Sequence, residues 1–387
     1  MKAKTISSKE RIIKGEIKIN IDCMYYSGNK PCRFHKQDGR LCKNCPDYQK
    51  IVKRILIVKL DALGDVLRTT SILTPLAEKF PNAEIVWLTR ENALELIDNN
   101  PYIRRKFAVE ENYLEAVLNE HFDIGINLDP DFLSSTILSI ADCSEKLGFL
   151  ANKSGRVIPA NPEAEHWYLM GLNDPLKKEN RKTYQEIIYE ICKITSPVRK
   201  PRIFLDEAHE IFARKFHTKN KLTYFKKIIG INTGGGKRWA LKKWTLEGYI
   251  ELVKLLKKAD QKIGIILFGG PEEEKFNREI KKEVGGLIID AGCSNSLLRF
   301  SALIDLVDVF CTPDSLGMHI AVALKKTTVV LVGPTSPWEL DVFGNGEIVY
   351  SDKCDCIACY RPTCKKEINC MNTIEPGRVS EAIIKYL

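Results

Sequence analysis

At 387 residues the chain is long enough for two domains, and 44% hydrophobic with 28% charged residues is typical of a globular protein with a sizeable core. Its net charge of +9 suits an anionic ligand, an anionic membrane face or no more than a solvated surface, and no basic stripe interleaved with aromatic residues indicates nucleic acid. Because no apolar run approaches the ~20 residues of a membrane span and no secretory signal opens the chain, we expect a cytoplasmic protein.

The first segment, residues 1–50, is a cysteine-rich extension. Cys23, Cys32, His35, Cys42 and Cys45 follow the spacing C-x8-C-x2-H-x6-C-x2-C. In a reducing compartment such a cluster favours a metal over disulfides, and a loop-rich segment this short would hardly fold without one. We therefore predict a metal held by the four cysteines, with His35 as an alternative ligand and zinc ahead of an iron–sulfur cluster. A poorly ordered reduced tail is the other interpretation.

From residue 51 to 198, short β-branched runs alternate with helical patterns, which indicates a parallel α/β domain. The predicted strands are 54–58, 84–89, 106–109 and 123–128, and the predicted helices are 66–79, 92–99, 113–120 and 132–140. A less regular region follows from about 146 to 201. Within it, residues 182–194 have the pattern of an amphipathic helix, and 196–201 are typical of a linker.

The same alternation resumes in the last part of the chain, residues 199–387. Strands are predicted at 227–232, 262–268, 286–290, 309–312 and 327–332, and helices at 246–258, 272–283, 298–306 and 318–324, with a terminal helix after a second cysteine-rich loop. Two successive parallel α/β domains joined by a linker would leave a deep cleft between them. Ligands in such sheets bind beyond the carboxyl ends of the strands, so we expect the functional residues in the strand-to-helix turns.

The first of these turns reads KLDALGDV, residues 59–66, and has neither the glycine spacing of a dinucleotide site nor a phosphate-binding loop. Gly64 is expected to allow a positive φ or a close approach of a ligand. Asp65 stands where a helix begins, so it is either an N-cap or a carboxylate that accepts a proton from a substrate hydroxyl. Asp61 is assigned to turn formation.

A glycine-rich turn opens the second domain. Thr233 and three glycines, residues 234–236, follow a predicted strand, and their backbone N–H groups could cradle phosphate oxygens. Cationic side chains lie within reach, at Lys237, Arg238, Lys242 and Lys243. The sequence predicts an anion site here, and a solvated loop without a ligand is the alternative.

Two further turns of this domain carry acidic residues at helix starts. In FGGPEEE, residues 268–274, the carboxylates either complement a helix dipole or bind ribose hydroxyls. In CTPDSLGMH, residues 311–319, Asp314 and Ser315 would cap a helix whose N–H groups suit a diphosphate. His319 lies one turn into that helix and is either structural or functional.

Together these motifs resemble glycosyltransferase family 9, the ADP-heptose:lipopolysaccharide heptosyltransferases. The stretch RILIVKLDALGDVLRTTSILTPLAEKFPNAEIVWL, which starts at Arg54, is similar to the opening of that family, and FGGPEEE, TPDSLGMHIAVALKKTTVVLVGPTSP and CIACYRPTCKKEINCM resemble its later blocks in the same order. The resemblance runs from about residue 53 to the end of the chain. It implies an α/β protein of GT-B architecture, in which two Rossmann-like domains face each other across the cleft, with inversion at the sugar carbon and no cofactor for catalysis.

The resemblance also implies roles for individual residues. Asp65 matches the proposed general base, Lys242 the lysine at the donor phosphates, and Glu273 the acidic residue at the donor ribose. The complete predicted donor site comprises Thr233, Gly234, Lys242, Glu273, Asn295, Asp314, Ser315, Leu316 and His319. Leu316 stands where the family has a glycine, so the diphosphate contacts there need not match those of the family. The triple glycine also departs from the family pattern, so the donor base need not be adenine.

A second cysteine cluster lies near the C-terminus. After Cys354, the cysteines Cys356, Cys359, Cys364 and Cys370 follow a pattern seen in many family members. They either hold a second structural metal or are free thiols in a loop near the cleft.

The leading hypothesis is an inverting glycosyltransferase that moves a sugar, heptose being one candidate, from a nucleotide-diphosphate sugar to a lipopolysaccharide-type or other surface glycan. It would act as a peripheral protein at the inner face of the cytoplasmic membrane. One alternative is a catalytically inactive nucleotide-sugar-binding or regulatory protein whose metal module docks a partner. An epimerase-like enzyme is disfavoured, because the chain has no NAD fingerprint.

Overall fold

The first of two six-stranded sheets is built from residues 53–159. A computed structural model describes residues 19–111, 113–235 and 240–387. The strands of the first sheet are β1 (Lys53–Val58), β2 (Ala83–Thr89), β3 (Ile103–Ala108), β4 (His121–Asn127), β5 (Asp142–Ala151) and β6 (Val157–Pro159). They are arranged in the order β3-β2-β1-β4-β5-β6, with every pair parallel except the short antiparallel pair of β5 and β6.

The second sheet repeats this arrangement. Its strands are β7 (Lys227–Asn232), β8 (Ile263–Phe268), β9 (Ile289–Asp290), β10 (Val309–Pro313), β11 (Thr327–Val332) and β12 (Gly346–Tyr350). They are all parallel and lie in the order β12-β11-β10-β7-β8-β9. Counted from its own first strand, this is the same order as in the first sheet, and it is the strand order of a Rossmann fold. The predicted pair of Rossmann-like domains is confirmed.

Helices cover both faces of the sheets. Within the described ranges they are α1 (Arg33–Asp38), α2 (Leu63–Thr69), α3 (Leu73–Lys79), α4 (Tyr113–Leu118), α5 (Phe132–Ile140), α6 (Glu165–Leu172), α7 (Asp174–Glu179), α8 (Tyr184–Ile191), α9 (Glu207–Lys219), α10 (Leu246–Ala259), α11 (Glu274–Val284), α12 (Leu297–Ile304), α13 (Leu316–Ala323) and α14 (Pro376–Ile384). None of these helices has the length and apolarity needed to cross a membrane.

The structure corrects the predicted elements at a few places. The helix predicted at 66–79 is two helices, α2 and α3, joined by a 3-10 turn at Thr70–Ile72, and the one predicted at 92–99 is a 3-10 segment, Glu91–Ile97. Strands β5 and β6 extend into a region predicted to be irregular. The first half of β5 is charged and mostly exposed, and β6 is only three residues long, so neither has the long apolar run of a buried parallel strand.

The core continues from one domain into the other. Residues Ile55 to Val58 of β1 are fully buried, as expected for the centre of a parallel sheet covered on both faces. Leu67 of α2 and Leu96, from the first domain, belong to the same apolar cluster as Phe268 and Leu298 of the second. The two domains therefore meet directly beside the carboxyl ends of their central strands.

Candidate active site

Helices α2 and α13 pack against each other where the two domains meet. A Cβ atom built on Gly64 of α2 would lie 2.6 Å from Cδ2 of His319 on α13, so any larger residue would push the helices apart. Gly64 is helical and does not adopt the positive φ that was one of the two expectations for it. A glycine is needed at this position because His319 of the other domain comes so close to it.

Asp65 lies at this contact, and it is not an N-cap. The N-cap of α2 is Ala62, which makes no side-chain capping bond, whereas the Asp65 carboxylate pairs with Arg68 one turn later. Burial disfavours the ionised form of Asp65, but the charges of Arg68 and then of Lys59 outweigh it and hold the pKa of the carboxyl below its usual value. Asp65 is therefore an ionised carboxylate whose side chain is one-third exposed (33%).

Arg68 connects this carboxylate to its surroundings. Its guanidinium stacks 4.0 Å from the ring centre of Tyr184, and its Nη1 donates to the carbonyl of Glu339 in the second domain at 3.4 Å. Among the described residues, its Nε has no hydrogen-bond partner. Arg68 is thus a largely buried cation at the domain contact, and its unpaired Nε is buried as well.

A buried ion pair supports the turn behind Asp65. Lys59 pairs with Asp129, which follows β4, and their side chains are only 2% and 8% exposed. Asp129 also accepts hydrogen bonds from the backbone N–H groups of Leu60 at 2.5 Å and Asp61 at 3.2 Å. Burial lowers the pKa of Lys59, but Asp129 outweighs it and raises that pKa above its usual value, so Lys59 is charged. The exposed Asp61 carboxylate pairs with Arg90 at 2.7 Å, in keeping with a role in the turn.

On the opposite side of the cleft, Asp314 follows β10 and is buried. It accepts hydrogen bonds from Nζ of Lys242 at 2.6 Å and from the hydroxyl of Thr335 at 2.8 Å. Burial opposes its ionisation, but Lys242 and then His319 lower the pKa of Asp314 below its usual value. Lys242 and Asp314, both members of the donor site predicted from sequence, are therefore in direct contact.

His319 is a neutral imidazole. Burial and then the positive charge of Arg68 lower its pKa to about 3. It lies within the electrostatic reach of both Asp65 and Asp314, which links the two halves of the site.

The start of α13 differs from the sequence-based expectation. Neither Asp314 nor Ser315 caps the helix with its side chain, because Asp314 binds Lys242 and Ser315 contacts Asn232 at 3.3 Å and Thr312 at 3.1 Å. Leu316 packs its side chain against the apolar cluster between the domains. Without side-chain caps, the first N–H groups of α13 remain suited to an anion.

The glycine-rich turn lies beside Glu273. A Cβ built on Gly234 would lie 3.4 Å from Oε2 of Glu273, whose carboxylate is buried and pairs with Lys243 at 2.8 Å. Thr233 is buried and donates to Asn277 at 2.6 Å, which fixes the end of β7 against α11. Gly236, Lys237 and Arg238, the rest of the predicted anion site, lie outside the described residues.

Asn295, a residue of the predicted donor site, holds the turn in which it lies. Its side-chain amide donates to the carbonyls of Ala291 at 2.9 Å and Gly292 at 3.3 Å.

Sequence reasoning missed several residues of the site. Arg68 had a signal, because a residue three positions after Asp65 in a helix lies on the same face. Tyr184 and Thr335 had none, since they reach the site from distant segments of the chain.

The C-terminal cysteines lie in a loop next to the cleft. Tyr360 of this loop donates to the Glu339 side chain at 2.6 Å. The sulfur atoms of Cys354 and Cys356 are 3.9 Å apart, whereas Cys364 is exposed. Burial and then the neighbouring thiols, Cys354 first, raise the pKa of Cys370 to about 11. In the part of the chain that the structure describes, no three histidine, cysteine or acidic side chains converge closely enough to hold a single metal ion.

Comparison with known proteins decides the family. Residues 112–369 match the model of glycosyltransferase family 9 (heptosyltransferase). The chain belongs to glycosyltransferase family 9. Lipooligosaccharide heptosyltransferase 2 of Haemophilus influenzae is 24% identical over 299 residues, which cover 73% of this chain and 84% of that protein.

Two solved structures resemble the fold of this family 9 chain, each at 18% identity. A family 9 glycosyl transferase of Veillonella parvula superposes with a TM-score of 0.69 and covers 87% of this chain and 97% of its own. The ADP-heptose lps heptosyltransferase II of E. coli gives a TM-score of 0.62 and covers 86% and 98%, respectively. The chain is therefore a glycosyltransferase with a GT-B fold. The family model matches the second domain's site residues but begins after Asp65, whose assignment depends on its position in the cleft.

Proposed function

We propose that this enzyme is an inverting glycosyltransferase that moves a sugar from a nucleotide-diphosphate sugar to a hydroxyl group of a surface glycan. The observation that carries the proposal is the placement of an ionised carboxylate, Asp65, directly across the domain contact from a cation and an uncapped helix start, Lys242 and α13. In-line sugar transfer needs a carboxylate that accepts the proton of the attacking hydroxyl on one side and groups that bind the leaving phosphate on the other.

The second domain, residues 199–387, binds the donor in this proposal. Lys242 and the N–H groups at the start of α13 take the diphosphate, with Thr233, Gly234, Ser315 and Leu316 shaping the turns around it. Glu273 binds the ribose hydroxyls, since its carboxylate lies at the mouth of the glycine-rich turn. Asn295 contributes by holding the turn after β9.

The first domain, residues 51–198, binds the acceptor. The acceptor oxygen attacks the anomeric carbon from the side opposite the phosphate, its proton passes to Asp65, and the bond from the anomeric carbon to the phosphate oxygen breaks with its electron pair on the nucleoside diphosphate. Attack from the opposite side inverts the configuration. The charge that develops on the leaving phosphate is stabilised by Lys242 and the helix N–H groups, with no cofactor required.

Arg68 adjusts the basicity of Asp65 during this sequence. While it is paired with Asp65, it keeps the carboxylate ionised but makes it a weak base. Arg68 is also close enough to Asp314 for that charge to raise its pKa, so it lies within range of the donor phosphates. When Arg68 turns toward a bound diphosphate, the proton affinity of Asp65 rises at the moment a base is needed.

The relatives indicate which substrates to try first. One is named a lipooligosaccharide heptosyltransferase and another an ADP-heptose lps heptosyltransferase, so ADP-heptose and a lipopolysaccharide-type acceptor are the first candidates. The net charge of +9 suits a peripheral position on the anionic inner face of the cytoplasmic membrane. No observation favours the inactive, regulatory alternative.

A donor screen followed by a variant pair tests the proposal. A thermal-shift panel of ADP-, GDP-, UDP- and CMP-linked sugars identifies the donor, because ligand binding raises the melting temperature by mass action. Asp65→Asn should keep that shift and lose transfer by about 10²- to 10⁴-fold, the usual contribution of a general base.

The matched control is Asp61→Asn, which changes an exposed aspartate in the same turn and should leave turnover unchanged. Full turnover by Asp65→Asn would exclude it as the base. Tight donor binding by the wild-type enzyme, with neither hydrolysis nor transfer to any glycan tested, would favour the inactive alternative.

A further inference from the structure

The cysteine-rich extension folds without a hydrophobic core. Within residues 19–50 no side chain is buried, α1 contributes no buried residue, and Leu41 is 63% exposed. The ends of the segment are nevertheless tied together: Met24 N–H donates to the Gln49 carbonyl at 2.7 Å, and Ile51 N–H donates to the Asp22 carbonyl at 2.8 Å. A closed segment of this length normally needs a disulfide or a metal in place of a core.

What occupies the centre of this segment is a cavity lined with thiols. A cavity of 430 Å³ is bounded by all four cysteines, Cys23, Cys32, Cys42 and Cys45, although they are spread over 23 positions of the chain. All four are free thiols and half-buried. The rest of the wall is mostly apolar and includes an edge-to-face pair of rings, Tyr25 and Phe34, 4.9 Å apart.

The size of the cavity distinguishes between the ligands that such a site could take. Four sulfur atoms around one zinc ion, each about 2.3 Å from it, would lie roughly 4 Å from one another. The four cysteines instead line one cavity of 430 Å³, which is much larger than a single ion, and among the residues with described positions no group of three such ligands is placed to hold one metal ion. Iron–sulfur clusters are also bound by four cysteine thiolates, and they hold these thiolates further apart because several iron and sulfide atoms lie between them.

We propose that residues 19–50 form a binding module for an iron–sulfur cluster, ligated by Cys23, Cys32, Cys42 and Cys45. This order of preference differs from the one based on sequence, in which zinc comes first. The module lies outside residues 112–369, the range that matches the glycosyltransferase family, and contains none of the residues assigned to sugar transfer.

His35 has a supporting position in the module. Its Nδ1 contacts the Arg40 carbonyl at 3.0 Å, which orients the ring, and Arg40 in turn pairs with Asp38 and Asp47. Because the four thiols complete the ligand set of a cluster, His35 is a neighbour of the site and not a ligand.

Metal and sulfide analysis of the full chain tests the proposal. The protein is purified without oxygen, and iron, zinc and acid-labile sulfide are measured per chain. We expect iron and sulfide in equal amounts, about two to four of each, with broad visible absorption that bleaches on reduction. A protein isolated with little iron is reconstituted with ferrous iron and sulfide before the measurement.

Two matched variants locate the cluster. Cys42→Ser/Cys45→Ser removes a C-x2-C pair of the module and should lose the iron and sulfide, whereas Cys356→Ser/Cys359→Ser removes a pair of the same spacing near the C-terminus and should keep both. Trypsin should also cleave the first variant faster within residues 19–50. If that variant does not express, His35→Ala, which should retain the cluster, and the wild-type stoichiometry still decide the question.

Three results would overturn the proposal: one zinc or one iron per chain without sulfide, no iron and sulfide bound after reconstitution, or a cluster that persists in Cys42→Ser/Cys45→Ser. None of these results bears on sugar transfer, which is measured separately with Asp65→Asn.

Discussion

Each of the two sheets carries a lysine–aspartate ion pair at the same topological position, and the two pairs differ in burial. In the first sheet Lys59 pairs with Asp129, which follows β4, and in the second Lys242 pairs with Asp314, which follows β10. The first lysine is 2% exposed and the second 15%. In both sheets the pair bridges the crevice where the strand order reverses, the usual location of a ligand.

Under the proposed function, this difference separates a structural pair, Lys59–Asp129, from a functional one, Lys242–Asp314. Asp129 uses its remaining lone pairs on the backbone N–H groups of Leu60 and Asp61, so the first pair holds the turn that leads to Asp65 on α2. Lys242 lies on a turn beside the cleft and keeps donors that a phosphate could use. The strand order therefore determines where the site lies, and the burial of the pair determines whether it supports the fold or the substrate.

The largest effect is expected from breaking the structural pair. Lys59→Met would leave Asp129 buried without its counter-charge, which should lower the free energy of unfolding by about 3–5 kcal/mol, as measured by chemical denaturation. Lys59→Met/Asp129→Leu should recover part of that loss, because it removes both charges. A loss below about 1 kcal/mol in the single variant would show that this pair does not hold the turn.

Breaking the functional pair should affect turnover instead. Lys242→Met should lower kcat about 10²-fold, because a cation that stabilises the leaving phosphate is lost. Its free energy of unfolding should fall by less than that of Lys59→Met, since Asp314 retains the Thr335 hydroxyl and the site is more open. Lys258→Met, on the exposed face of α10, is the control for removing one positive charge. If both lysine variants lose stability equally and keep kcat, the distinction between the two pairs fails.

A smaller effect is expected from pH, at the contact between the two halves. His319 has a folded pKa of about 3 against an ordinary value of 6.5, so the unfolded chain binds a proton that the folded chain does not. The stability contributed by the neutral ring is complete above pH 6.5 and is lost as the pH falls from there toward 3. Between pH 6.5 and 5.5 the loss should be about 1 kcal/mol, from unfolding curves compared with those of His319→Gln, which has no titrating ring. Parallel pH profiles for the two proteins would contradict the assignment.

Much of the sheet architecture could be predicted from sequence, because the central strands are continuous apolar runs. The strands at 227–232 and 327–332 have the predicted bounds, since a parallel strand buried on both faces leaves little ambiguity. Strand β5 could not be predicted: it lies near the edge of the sheet, and its first half is mostly exposed and charged. The sequence of one strand does not show which other strand will pair with it at the edge of the sheet.

The site was partly predictable for a related reason. Asp314 directly follows a central strand and Asp65 lies in the first turn of the helix after another, where parallel sheets place ligands, so their positions follow from the order of the elements. The partners of these two carboxylates could not be predicted in this way. Capping preferences favour a backbone N–H as the partner, whereas Asp65 pairs with Arg68 and Asp314 pairs with Lys242, because tertiary packing brings these side chains together.

Strand β1 links the two unusual parts of this enzyme and sets the distance between them. The cysteine module joins the strand just before Lys53, and the turn that leads to Asp65 begins just after Val58. Six residues of extended chain span about 20 Å, so the module and Asp65, the proposed base, lie at opposite ends of the first domain. A partner protein bound to the module would leave the mouth of the cleft uncovered. The enzyme would then be held at the module while both sugar substrates entered the cleft from the opposite side.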